Sequence, residues 1–377
     1  MNSIHFTRWT DQLKDSGHEV YWFSSHGTGY SNKISWVEQV VDWKLRYPNL
    51  KGRYVVKNKL PFLYRLVRPL IERNTAVEFE KALLKIQPDV VHSFVLYISC
   101  ASILSVMEKH KNIPWIYSSW GSDLYYYQNK PKYLRDIKRV LPRIDYLITD
   151  CKRDVGLAKT LGFRGRVLGV FPGGGGFDYA QSDAFIKPIS DRTIILVKGY
   201  QGRSGRGINV LKALMMLEPE LTDFKIVVFG ADKAVIDFAD THHLGDRFHF
   251  TLYKRTEFLP HLEVLQLMGQ SLIYIGNSNS DGMPNTLLEA IAMGAFPIQS
   301  NPGGATEEVI DDGVNGLLIQ DCEAVENIKA LILESLNNNK LIATAFEVNQ
   351  KQVKPKYERE ELKKSLLSKY KSIEDAL

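Results

Sequence analysis

The sequence predicts an α/β protein with two parallel sheets, each covered by helices on both faces, arranged as two domains of similar size. Short apolar runs alternate with stretches of helical period along the whole chain, the order that crossover connections between parallel strands demand. At 377 residues the chain is long for one core and suits two. Around residues 172–191, four consecutive glycines and a polar stretch interrupt the alternation, after which the order of strands and helices starts again.

Each element has its own signal. HFTRWTDQLKDSG is helical by the spacing of Phe6, Trp9 and Leu13 and is closed by Gly17; HEVYWFS follows as a strand. After a basic segment, helical stretches run from about Leu60 to Ile86. Then come strand PDVVHSF, helix SCASILSVMEKHK, strand IPWIYSSW, a Tyr-rich loop with a helix around Tyr133 to Val140, strand YLITDC, helix KRDVGLAKTLGF and strand RVLGVFP. FPGGGGFD closes this half; four glycines cost entropy and pack nothing, so they mark a hinge or a backbone that approaches a ligand. The second half restarts with strand TIILVKG and continues through strands DFKIVVFGA, FHFTLY, SLIYIG, FPIQS and GLLIQ, with helices between them, to a lysine-rich terminal helix. The expected boundaries are 1–180, 181–355 and a terminal helix over 356–377.

Composition excludes several classes. Hydrophobic residues at 44% and charged residues at 24% suit a globular chain, and no apolar run reaches the length of a membrane span. A net charge of +5 leaves no nucleic-acid footprint. Cys100, Cys151 and Cys322 lack metal-ligand spacing and the first residues lack a signal-peptide pattern, so a cytoplasmic location is expected. One region is unusual: Lys44, Arg46, Lys51, Arg53, Lys57, Lys59, Arg65 and Arg68 are interleaved with Trp43, Tyr47, Tyr54, Phe62, Leu63, Tyr64 and Leu66. That mixture reads either as a solvated basic face or as a peripheral contact with the anionic inner face of a membrane. His242, His243 and His261 have no ligand-like partners in sequence and read as surface or core residues.

The stretch beginning at Ser271 carries the most specific chemistry. A buried strand ends in the polar turn Gly276 to Ser280, and Pro284 introduces the helix PNTLLEAIAMG, whose free N–H groups make a site for a phosphate or a sugar hydroxyl. Asp281 and Gly282 lie where such a ligand would sit. On an ideal helix Leu287, Leu288, Ile291 and Ala292 form the buried stripe, while Asn285 and Glu289 fall off it, leaving Glu289 free to meet a ligand. KGYQGRSGRG, after strand TIILVKG, places Lys198, Arg203 and Arg206 around a glycine-rich loop ahead of a helix, which suits a pyrophosphate; it is neither a P-loop nor G-x-G-x-x-G.

SNSDGMPNTLLEAIAMGAFP, GGATEE and DGVNG together resemble the donor-binding half of the family 4 retaining glycosyltransferases of the GT-B fold, over about fifty residues. The family pattern is an acid, seven residues and a glutamate; the first acid here is Asp281, a shorter arm than the usual glutamate. At lower specificity PDVVHSF resembles P-D-x-V-H-x-H, with His92 at the strand end, and WGSDL resembles H-G-x-D, with Trp120 in place of the histidine and Asp123 as a catalytic candidate; Gly174 lies where the family has P-N-G-x-D. Trp120 has no ring nitrogen that accepts, so it would stack on a sugar or donate.

The resemblance implies two Rossmann-like domains with a cleft between them, and a terminal helix, 356–377, that crosses back to the first domain. It implies a nucleotide-diphosphate sugar as donor, a glycan or lipid-linked acceptor as in surface polysaccharide synthesis, and retention. Glu289 would accept the ribose hydroxyls, and Asp281 with the amides of Gly282 and Met283 would orient the sugar. Lys198, Arg203 and Arg206, with the helix start at Asn285 and Thr286, would neutralise the diphosphate. No D-x-D pair lies in the donor loop, so neither metal nor other cofactor is expected. The alternatives are an epimerase or phosphorylase on the same fold, and a sugar-nucleotide binding subunit without catalysis. The resemblance also implies a buried strand and glycine loop ahead of the first helix, where only MNSI stands. The expectation is therefore a start upstream by some thirty residues or fewer and an open slot or broken sheet beside the Trp9 helix; in a divergent domain the neighbouring strands would instead pair directly.

Overall fold

The computed structural model describes residues 4–49, 53–180, 182–257 and 259–376. They form two compact units: one takes the residues up to Thr149, Val155–Gly175 and those from Leu366 on, the other Asp150–Asp154 and Gly176–Ser365. Every paired strand is parallel, and helices connect most of them.

The first unit contains β1 (Tyr21–Phe23), β2 (Glu38–Val40), β3 (Val91–Phe94), β4 (Trp115–Ser118), β5 (Tyr146–Thr149) and β6 (Arg166–Val170). β1 pairs only with β2, as a separate ribbon, and β3 to β6 form a four-stranded sheet in sequence order. Trp115 and Tyr117 of β4 and Leu147 of β5 pack against Leu104 and Met107 of the helix Cys100–Met107 and Ile137 of the helix Pro131–Val140. Between β1 and β3 the described residues place no strand. A cavity of about 300 Å³ lies there instead, with Trp9 of the helix Ile4–Asp11 in its wall.

The second unit contains β7 (Ile194–Lys198), β8 (Lys225–Ala231), β9 (His249–Lys254), β10 (Ser271–Gly276), β11 (Phe296–Ser300) and β12 (Leu317–Ile319), in spatial order β12-β11-β10-β7-β8-β9. This is a doubly wound sheet with β7 central. The alternation of β7 shows why it is apolar from Ile194 to Val197: Ile195 and Val197 enter one core with Val210, Leu214 and Ile328, while Ile194 and Leu196 enter the other with Met268, Leu287 and Ile291. The chain leaves β7 toward β9, then returns to the other side of β7 at β10, so the switch point falls between the C-terminal ends of β7 and β10, where an open sheet leaves a crevice for a ligand.

The basic segment folds as the helices Arg53–Lys59 and Pro61–Ile71. Several of its residues turn inward. Trp43 is buried, its indole donating to the Ser24 carbonyl at 2.9 Å, and Tyr64 is buried with its hydroxyl on Glu72. Lys44 is half-buried on Thr75, and burial pulls its ammonium below the ordinary lysine value. Phe62, Leu66 and Leu70, at i, i+4 and i+8 of the second helix, remain 70, 62 and 71% exposed. Lys51 lies outside the described residues. Among the described residues no helix is long and apolar enough to cross a membrane.

Candidate functional site

In the second unit the site forms at the switch point, because two loops are stitched together there. The loop after β7 meets the loop after β10 through Arg206 N–H to Asn277 O at 2.9 Å and Asn279 N–H to Ser204 O at 2.9 Å. Lys198, the last residue of β7, reaches this place from beneath. Its ammonium stands 4.0 Å from the Asp281 carboxylate and 4.8 Å from the centre of the Tyr200 ring. Burial works against that charge, but the Asp281 carboxylate and the nearby Tyr274, Tyr200 and Glu289 outweigh it and hold the ammonium above the ordinary lysine range. A fixed cation therefore stands at the C-terminal edge of the sheet.

Asp281 is partly exposed, and one of its oxygens accepts the N–H of buried Gly282 at 3.1 Å. The helix Asn285–Ala292 follows, with Pro284 as its cap in extended backbone, so the amides of Asn285 and Thr286 stand at its open end. The Thr286 hydroxyl accepts from the Tyr274 hydroxyl at 3.0 Å, fixing the first turn to β10. Met283 is buried against Phe177 and Leu288, so its side chain is core and only its backbone can face a ligand.

Two expectations are corrected here. Glu289 is not on a free face: it is 5% exposed, and its carboxylate takes Nε2 of His261 at 2.7 Å. The helical projection failed because every residue from Leu287 to Ala292 is buried, so this helix has no solvent side there. His261, which opens the helix His261–Gln270, is accordingly a partner of the candidate acid and not an isolated surface residue. Arg206 is also engaged. Its guanidinium pairs with Glu323 and donates to the carbonyls of Gly202 at 2.9 Å and Gly205 at 2.8 Å, so it braces the loop in this state. Arg203 is exposed on the same loop. The sequence reading missed Tyr200, Tyr274 and His261. The lone signal for the first was its position directly after the Lys198-Gly199 pair.

The first unit treats its candidates differently. Asp123 is buried and accepts from the Tyr117 hydroxyl at 2.6 Å, the N–H of Trp120 at 2.9 Å, the N–H of Leu96 at 3.0 Å and the Ser119 hydroxyl at 3.3 Å. Its carboxylate is a hub that ties the loop after β3 to the loop after β4, and burial raises its pKa against those bonds. His92 has both ring nitrogens occupied, Nδ1 by the Tyr370 hydroxyl at 2.7 Å and Nε2 by the Ser118 hydroxyl at 2.7 Å, and burial pushes its pKa down to about 3. The Trp120 ring packs on Phe94 at 5.3 Å, and its indole N–H is buried with no hydrogen-bond partner among the described residues. Gly174 lies in a turn closed by Gly175 N–H to Pro172 O at 2.8 Å. The left-handed backbone that favours glycine falls on the next two residues, Gly175 and Gly176. Gly175 has φ of +68°, and a Cβ there would fall 2.2 Å from Nε2 of Gln12.

Among the described residues one group has ligand-like spacing for a metal: Asp150, Cys151 and Asp154, with potential ligand atoms within 4.8 Å of one another. Burial, and then the two carboxylates, push the Cys151 thiol up, and Asp154 is paired with Arg153 at 2.8 Å. Of the three groups, Asp154 is therefore already engaged by a guanidinium.

A doubly wound sheet with a half-buried cation and a helix start at its switch point is the arrangement of a nucleotide-binding α/β protein. The comparisons carry this further. The family described as "Glycosyl transferases group 1" matches residues 182–352, and "Glycosyl transferase 4-like" matches residues 1–151. The chain belongs to these glycosyltransferases, with the GT-B fold. An uncharacterised glycosyltransferase of Methanocaldococcus jannaschii is 29% identical over 137 residues, which is 35% of this chain and only a third, 33%, of that protein. Sucrose-phosphate synthase from Thermosynechococcus elongatus superposes with a TM-score of 0.70 at 17% identity, over 99% of this chain and 94% of that one. HepE of Anabaena, solved with UDP and glucose, gives 0.67 at 12% identity over 98% and 96%. These likenesses establish the fold.

Proposed function

We propose that the protein takes a nucleoside diphosphate sugar as donor and moves the sugar, with retention, to a glycan or lipid-linked acceptor of surface polysaccharide synthesis. The observation that carries the reading is the Lys198 ammonium at the end of β7, 4.0 Å from Asp281, which stands four residues ahead of the helix start at Asn285. A leaving diphosphate gathers negative charge as the glycosidic bond breaks, and a cation with oriented amides at that point stabilises it more than it stabilises the bound donor. These residues supply the charge compensation, so the chemistry proceeds without a divalent ion. Glu289, held by His261, receives the ribose hydroxyls; Asp281 and the amides of Gly282 and Met283 hold the sugar. Arg206 turns from Glu323 to the diphosphate when the donor arrives, and Arg203 follows from the same loop. HepE of Anabaena, a structural neighbour, has been solved with UDP-glucose, which supports a donor of this class.

The exposed ridge of Phe62, Leu66 and Leu70, flanked by Arg65, Arg68, Lys57 and Lys59, supports peripheral binding to an anionic membrane face, where a lipid-linked acceptor would be met.

The test is a panel of sugar nucleotides followed by free-nucleotide release and by the anomeric configuration of the product. Slow hydrolysis or transfer from one donor with retained configuration is expected. Epimer formation, inversion, or binding without any turnover overturns the reading.

A further inference from the structure

The second sheet provides a template for reading the first. Around β7 the chain lays β8 and β9 on one side and β10, β11 and β12 on the other. The first unit repeats both runs, β1 and β2 outward on one side and β3 to β6 on the other, but the described residues put nothing in the central place that β7 holds. What occupies that place is the cavity of about 300 Å³, lined along one edge by Glu19 to Ser25 and along the other by Val90 to Val95. Its two faces are apolar helix surfaces: Phe6, Trp9 and Leu13 on one, Phe79, Leu83 and Ile86 on the other.

The hydrogen-bond register shows that both edges address the gap. Ser24 N–H donates to Val40 O and Val20 O accepts from Glu38 N–H, so the even residues of β1 face β2 and the amides of Tyr21 and Phe23 face the other way. Val91 and Val95 donate toward Pro114 and Ser118 on the β4 side, which turns the amides of His92 and Phe94 away from β4 and into the gap. The Phe94 carbonyl already accepts from the Ser99 hydroxyl. Two half-ladders therefore face one slot that is roofed and floored by apolar side chains. An edge of seven residues runs about 20 Å at about 3.3 Å per residue, the length of an ordinary strand.

We propose that this slot is an acceptor site for one extended apolar peptide strand, bound parallel to β1 and β3 and hydrogen-bonded to both, in the manner of β7 between β8 and β10. The chemistry required is that of β7 itself: aliphatic side chains on both faces, since helices cover both, and no proline, since both ladders need its N–H groups. A strand with a charge in its central residues, or one that alternates polar and apolar, would bury polar groups against Trp9 or Leu83 and is excluded; a charge at its C-terminal end, where Lys198 stands in β7, is not.

The probe is a capped peptide with the sequence of residues 193–199, TIILVKG, added to the 377-residue chain, beside the same peptide with proline substituted at two alternate positions. The matched peptide should raise the melting temperature in a concentration-dependent way. It should also slow exchange of the Tyr21, Phe23, His92 and Phe94 amides by roughly tenfold or more, as burial in a ladder does. Should the free peptide self-associate, the same seven residues joined ahead of Met1 through a glycine-serine linker give the same two readouts. The proposal is overturned if neither form alters stability or those amides. It is also overturned if the proline peptide acts equally, which would mean filling of an apolar hole, or if the chain dimerises through the slot and the peptide cannot compete.

Discussion

Substituting the two ends of the Lys198–Asp281 pair should move nucleotide affinity in different directions. The ammonium and carboxylate stand 4.0 Å apart, a separation at which two unit charges attract by about 4 kcal/mol gross at an effective dielectric of about 20, before desolvation is counted. A bound diphosphate would share that ammonium with Asp281. Lys198→Met keeps the length and apolar stem and deletes one charge-assisted bond to the ligand, a loss of about 1.5 to 3 kcal/mol, or about 10- to 150-fold in Kd. The corresponding nucleoside, which brings no charge to Lys198, should bind within about twofold of the parent, since a neutral group in that pocket meets only an altered surface. Asp281→Asn removes a carboxylate that competes for the cation, so the nucleoside diphosphate should bind as well as before or tighter, while the sugar nucleotide binds more weakly and turnover falls. Isothermal titration with the nucleoside, its diphosphate and the sugar nucleotide selected by the donor panel separates these effects, and a melting curve for each variant checks that the fold survives. Equal losses of diphosphate affinity in both variants would refute the division of roles. So would a Lys198→Met variant that loses the nucleoside as strongly as the diphosphate.

Two other perturbations have signs that the structure settles. His92 is held neutral by burial, with its pKa pushed down to about 3, against about 6.5 for an unfolded histidine. The unfolded chain therefore takes up a proton below pH 6.5 that the folded chain refuses, and stability should fall by about 1.4 kcal/mol per pH unit as pH drops from 6.5 toward 3. Urea midpoints at pH 7, 6 and 5 should show a steeper loss for the parent than for His92→Gln, and parallel slopes would remove His92 as the cause. For the exposed helix ridge, Leu66→Glu combined with Leu70→Glu should weaken binding to anionic phosphatidylglycerol vesicles by more than about 100-fold, since each leucine inserted is worth about 1.5 to 3 kcal/mol. Undiminished co-sedimentation of that variant would return the segment to a solvated basic face.

The strands were legible wherever a sheet is covered on both faces, because there every residue of the strand is apolar. Ile194 to Val197 is such a case, with successive residues entering two cores. Glu38–Val40 was not legible. It has one exposed and two half-buried residues and no apolar run, and it is a strand only because its backbone pairs with Tyr21–Phe23. Likewise Lys44 and Trp43 counted toward a basic aromatic surface by composition. Their inward orientation depends on Thr75 and Ser24, partners that composition does not name.

The site divides along the same line. Residues whose local chemistry makes little sense for packing alone announced themselves: a lysine at the end of an apolar strand, an acid and glycine before a helix, and cations among glycines. What each residue does there is set by partners far away in sequence. Arg206 is braced by Glu323, 117 residues on, and Glu289 is held by His261, 28 residues back, on a helix that the projection treated as unrelated. Asp123 makes the point most sharply. As an acid after a strand and near a glycine it reads equally as a catalytic group or a helix cap, yet its acceptor positions go to Leu96, Tyr117, Ser119 and Trp120, drawn from β4 and from the loops after β3 and β4. Removing it should therefore loosen both loops before it alters any chemical step: an Asp123→Asn variant must leave one donor among the four without its acceptor, and a buried donor so stranded costs about 1 to 3 kcal/mol.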